Sequence, residues 1–139
     1  MARGLFGRLF AILLLAGGVA ACDDDPTTTP TTPTTLVTET FSGTVGQGGS
    51  ATHNFSTATS GSVTATLKTI GTDNTLVVSF ALGTWTGSAC SLVLANDTAT
   101  GGAQLKGTMT GQGTLCARIG DVGNIGTTAA SYTIEVEHP

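Results

Sequence analysis

Beyond residue 35 the chain alternates apolar and polar positions with a period of two. Val63, Ala65 and Leu67 are set against Thr64, Thr66 and Lys68, the pattern of a strand with one face on a core and the other in water. Leu76, Val78, Phe80 and Leu82 repeat it, although Val77 and Ala81 make the second face apolar as well. Leu92 and Leu94 follow, then Leu105 and Met109, then Leu115, Ala117 and Ile119. Tyr132, Ile134 and Val136 close the series, with Thr133, Glu135 and Glu137 facing outward, and Phe41 and Phe55 anchor two earlier strands. No stretch sustains an i, i+3, i+4 apolar stripe, so helix is not expected.

Turn chemistry falls between these runs, at Gly46-Gln47-Gly48-Gly49-Ser50, Ser60-Gly61, Gly71-Thr72-Asp73-Asn74, Asn96-Asp97, Gly101-Gly102 and Gly111-Gln112-Gly113. Glycine supplies positive φ there, and Asn or Asp side chains cap neighbouring amides. About eight short strands with turns roughly every 8–12 residues predict an all-β fold, a single antiparallel β-sandwich of jelly-roll type, over residues 36–139. No connection is long enough for a helical crossover, which excludes a parallel sheet. The segment holds one modest core rather than two.

The first 35 residues have a different logic. Arg3 and Arg8 precede an unbroken apolar run from Leu9 to Ala16, and small residues follow at Gly17, Gly18, Ala20 and Ala21. This is the layout of an export signal over residues 1–21, and the run is shorter than the roughly 20 residues that a spanning helix needs. Asp23-Asp24-Asp25 comes next, either a sorting signal or a solvated spacer, and then PTTTPTTPTT over residues 26–35. Proline and threonine without large apolar groups cannot pack a core. An extended linker of this kind reaches roughly 40 Å from residue 23 to residue 35 at about 3.1 Å per residue.

Composition narrows the function classes. The 139 residues include 28 Thr and 20 Gly but only 10% charged residues, with a net charge of −4. Residues 22–139 keep only Lys68, Lys106 and Arg118 as cations and carry a net −6. Nucleic acid is therefore not an expected partner, because it demands a clustered basic surface.

Val19-Ala20-Ala21-Cys22 resembles the lipobox of bacterial lipoproteins, a small-residue triplet ending in the cysteine that is modified. The resemblance implies diacylglyceryl transfer to the Cys22 thiol, cleavage before Cys22 and acylation of the new amino group. Two or more acyl chains anchor a protein stably where one does not. With three cysteines in all, lipidation of Cys22 leaves Cys90 and Cys116, the natural disulfide partners in an exported protein. Cys116 alternates with Leu115, Ala117 and Ile119, so it points away from the core unless a bulge intervenes.

A second resemblance covers roughly residues 38–138. Phe41-Ser42-Gly43, Gly49-Ser50-Ala51-Thr52-His53-Asn54-Phe55 and Gly61-Ser62-Val63-Thr64-Ala65-Thr66-Leu67 look like the opening strands of bacterial pre-peptidase C-terminal domains. The stretch from Cys116 to Asn124 and Ser131-Tyr132-Thr133-Ile134-Glu135-Val136 are similar to their final hairpin. The resemblance implies a jelly-roll sandwich acting as an accessory module of secreted peptidases.

Catalytic chemistry has little to work with. Only His53 and His138 are available as bases; His53 shares the register of Phe55 and reads as structural, and His138 as a frayed end. No Gly-x-Ser-x-Gly, Cys-x-x-Cys or His-Glu-x-x-His occurs, and the Gly-rich turns precede strands rather than helices. No enzymatic activity and no resident cofactor are expected. Asp73, Asp97 and Asp121 place oxygens on three loops and are the candidates for calcium, although Asp and Asn are also ordinary turn formers. Trp85, in Gly83-Thr84-Trp85-Thr86-Gly87, is either a core plug or an exposed platform on which a sugar could stack. The expectation is a non-catalytic module, lipid-anchored through Cys22 on the extracytoplasmic side of a bacterial cell envelope, with an interaction or structural role. The alternative is a ligand-binding accessory domain for glycan or peptide.

Overall fold

A computed structural model describes residues 34–139; residues 1–21, expected to be an export signal, Cys22 and most of the expected linker lie outside the described residues. The elements are eight strands: β1 (Val37–Val45), β2 (Ser50–Thr57), β3 (Gly61–Ile70), β4 (Val78–Trp85), β5 (Cys90–Ala99), β6 (Gln104–Met109), β7 (Gly113–Gly120) and β8 (Ala130–His138). They form two four-stranded sheets, ordered β1-β8-β3-β6 and β2-β7-β4-β5. Every pairing is antiparallel. This is the strand order of a jelly roll, in which consecutive strands, the β4–β5 hairpin excepted, pass from one sheet to the other and back.

The alternation of the sequence becomes the core. Val63, Ala65 and Leu67 from β3 and Tyr132, Ile134 and Val136 from β8 face Phe80 and Leu82 from β4 and Leu115, Ala117 and Ile119 from β7. Phe80, Leu67, Ile119 and Ile134 are among the largest side chains wholly withdrawn from water. Burial of such side chains contributes about 1.5–3 kcal/mol each, and the central position of β8, β3, β7 and β4 explains why their inward rows are the most apolar. Leu76 packs on this core from the loop before β4.

The two open sides of the sandwich are closed differently. Along β1 and β2 a row of rings fills the gap: Phe41 stacks on His53 at 4.9 Å, His53 meets the edge of Tyr132 at 5.8 Å, and Phe55 lies 5.2 Å from His138. Along β5 and β6 no ring is available, and an apolar groove of about 350 Å³ remains, lined by Leu82, Leu94, Met109 and Leu115.

Three local readings of the sequence are overturned. Asn96-Asp97 is not a turn but lies inside β5, where the register slips between Val78 opposite Ala99 and Phe80 opposite Asn96. The Asn96 carboxamide oxygen accepts the Thr98 amide at 3.0 Å, so the turn-forming chemistry is spent on a bulge within the strand. Leu92 and Leu94 do not share a face. Leu94 pairs with Leu82 and Leu92 with Gly83, leaving Val93 as an extra residue, 70% exposed, and turning Leu92 outward. His138 is not frayed: it pairs with Val37 at the end of β8, is 3% exposed, and its Nε2 lies 2.9 Å from Glu39 Oε1.

Candidate functional site

Cys90 and Cys116 are joined by a disulfide with their Cα atoms 5.8 Å apart. They belong to β5 and β7, which flank β4 rather than each other, so a flat sheet would hold them two strand spacings apart, about 9.5 Å. Gly83 resolves this. It pairs with Cys116 on one side and Leu92 on the other, and a side chain at this position would collide with the backbone of Ser91 and Leu92. The start of β5 therefore folds over the bare backbone of β4 and delivers Cys90 to Cys116 across it. Cys116 points away from the core, as its alternation requires, yet is fully buried beneath this fold. The bulge lies in β5 rather than in β7.

The outer face of the same sheet carries a depression of about 420 Å³. Strand pairing aligns its rows. Ser50, Gly120 and Ser79 are neighbours across β2, β7 and β4, and Thr52, Arg118, Ala81 and Ala95 are neighbours across all four strands. Arg118 Nη2 donates to Ser50 Oγ at 3.1 Å, and Ser79 Oγ donates to Asp97 Oδ1 at 2.7 Å. Leu92 and Val122 add exposed apolar surface at the margin. Among the described residues Lys68 forms an ion pair with Glu135 and His138 is hydrogen-bonded to Glu39, and Arg118 is not paired with either aspartate that shares its depression.

The three calcium candidates have separate fates. Asp97 and Asp121 line this depression, whereas Asp73 does not. Asp73 Oδ1 accepts the Thr75 amide at 3.2 Å and the Thr75 hydroxyl at 2.9 Å, which hold its carboxyl below the usual range. Asp121 is a clip between loops. Its Oδ2 accepts the Gly48 amide at 2.8 Å, and its Oδ1 accepts those of Gly123, Asn124 and Ile125 at 2.8–3.0 Å. These donors lower the Asp121 pKa to about 2, the Gly48 amide most of all. A carboxylate surrounded by N–H donors is arranged as an anion site filled by the protein itself, not as a cation ligand. Among the described residues no group of three His, Cys, Asp or Glu side chains is placed to hold a metal.

Trp85 is neither a member of the core cluster nor a loop residue. It ends β4, opposite Cys90, and is half-buried on the outward side beyond the disulfide. Both histidines are engaged: His53 Nε2 is hydrogen-bonded to Tyr132 Oη at 2.8 Å, and both His138 ring nitrogens face oxygens. Burial lowers the His53 pKa and raises that of Tyr132. The reading of the sequence named Asp97, Asp121 and Trp85 but passed over Arg118, Ser50 and Ser79. Only the outward parity of Arg118 between Ala117 and Ile119 could have pointed to it.

Compared with models of known protein families the chain matches none, and no curated protein matches it.

Proposed function

We propose that this chain is a non-catalytic module of a bacterial cell envelope, anchored by lipid at Cys22 and carrying its jelly roll outward on the Asp/Thr/Pro linker for an interaction or structural role. The cysteine arithmetic carries this reading. Cys90 and Cys116 are joined to each other, so Cys22 is the one cysteine left over, and it stands at the end of the lipobox-like Val19-Ala20-Ala21. An intramolecular disulfide also suits an oxidising, extracytoplasmic compartment.

Expression of the full chain in a bacterial host, followed by membrane fractionation and mass spectrometry of the N-terminal peptide, tests the anchor. The expected product begins at Cys22, carries acyl mass and sediments with membranes, and Cys22→Ser abolishes both properties. An N-terminus upstream of Cys22 with no acyl mass refutes the anchor. A second reading, a ligand-binding accessory module for glycan or peptide as the resemblance to pre-peptidase C-terminal domains implies, is favoured by the depression around Arg118.

A further inference from the structure

We infer that the depression on the outer face of the β2-β7-β4-β5 sheet binds a neutral, hydroxyl-rich ligand, a saccharide, with Arg118 and Asp97 as its hydrogen-bonding pair. The inference rests on the second reading above and gives it a site and a chemistry.

The depression begins with residue choice. Outward positions of the other sheet carry Thr64, Thr66, Thr133 and Glu135, whereas the central strands present Gly120 and Ala81 to the depression. Glycine and alanine are poor strand formers beside threonine, which this chain otherwise uses freely. Their presence lowers the floor. Ala81 is only 1% exposed although it faces away from the core, so the walls close over it. The two irregularities of β5 supply one wall, setting Leu92 outward and bringing Asp97 to Ser79. Bulges on edge strands re-aim side chains in this way.

Charge selects the ligand class. Arg118 is the only cation among the described residues of this sheet, and Asp97 and Asp121 line the same depression. An anion meets two carboxylates, and a cation meets the guanidinium. A hydroxyl both accepts and donates, so neighbouring hydroxyls can accept from Arg118 and donate to Asp97 while C–H groups rest on Leu92 and Val122. Such mixed lining with a few fixed polar groups is what small-ligand sites require. Ser50 and Ser79 already hold Arg118 and Asp97 in place, which reduces the side-chain entropy lost on binding.

The test is a titration of the isotopically labelled full chain, in a detergent without a sugar headgroup, with cellotetraose, chitotetraose and maltotetraose, each to about 10 mM. A neutral tetrapeptide and an acidic one are run in parallel. Saturable shifts of the Arg118, Ala81 and Gly120 amides with at least one sugar are expected. Arg118→Gln should weaken that binding roughly tenfold or more with the melting temperature retained, as loss of a charge-assisted hydrogen bond implies. Sugar shifts elsewhere on the molecule, or sugar binding indifferent to both Arg118→Gln and Asp97→Asn, overturn the site. Binding of a peptide but no sugar overturns the ligand class and leaves the accessory-module reading standing. Silence with every probe overturns both.

Discussion

Tyr132 Oη and His53 Nε2 lie 2.8 Å apart and join β8 of one sheet to β2 of the other. The tyrosine reaches across because its strand neighbour is Gly43, where a Cβ would sit 2.6 Å from the phenolic oxygen. With Phe41 stacked on His53, the pair closes the β1/β2 side of the sandwich by packing and hydrogen bonding together.

This closure makes stability depend on pH. Burial holds the His53 pKa below its ordinary 6.5, so between the two values the unfolded chain binds more protons. The contribution is complete above about pH 6.5 and declines as pH falls below it. Urea unfolding from about pH 7 to about pH 5 should therefore show wild type losing stability relative to His53→Gln, which cannot titrate there. Parallel decline of both proteins would contradict the assignment.

Asp121 produces a second, separate loss. Its folded pKa of about 2 lies below the ordinary 3.8, so its contribution is present above pH 3.8 and disappears as pH falls from there through about 2. Asp121→Asn should flatten the melting-temperature profile in that window. At neutral pH it should also speed hydrogen exchange at the Gly48, Gly123, Asn124 and Ile125 amides; unchanged exchange at all four would remove the clip.

The disulfide closes a loop across a sequence separation of 26. Chain entropy assigns such a loop about 3.5 kcal/mol. The double substitution Cys90→Ser, Cys116→Ser should lower the unfolding free energy by that order in chemical denaturation. A change of only a few tenths would show that the bridge follows an already determined fold of β5 over β4.

Gly83→Ala tests that fold directly. The new methyl has no space beneath the Ser91 and Leu92 backbone, and overpacking of this kind costs about 1–3 kcal/mol or more. Free-thiol titration of the purified variant should also rise above wild type, since Cys90 is pushed away from Cys116. Full oxidation with unaltered stability would refute the account of Gly83.

How much of this was legible beforehand differs by element. β8, and β3 as far as Leu67, were readable residue by residue because Val63, Ala65, Leu67 and Tyr132, Ile134, Val136 each obey one parity, enforced by a core on a single side; past Leu67 the register of β3 shifts, and Ile70 takes the buried place that alternation assigns to Thr69. β5 was misread at both irregular points. Asn96-Asp97 carries the same local capping chemistry in a bulge as in a turn, and which one forms depends on whether a neighbouring strand continues alongside. β4 does continue, so the strand absorbed it. Arg118, counted only among the cations, was not singled out as a site residue for a related reason: nothing in its own segment distinguishes a solvated arginine from one set among Ser50, Ser79 and Asp97.

The amino-acid order alone determined the all-β class, the inward rows, most turns and the pairing of Cys90 with Cys116, since each depends on alternation, local backbone preference or simple counting. Tertiary structure decided the parity within β5, the passage of that strand over Gly83, and the assembly of the Arg118 depression. These depend on strand order, and the interleaving 2-7-4-5 brings side chains of β2 and β7 beside those of the β4–β5 hairpin across long sequence separations, which no local pattern encodes.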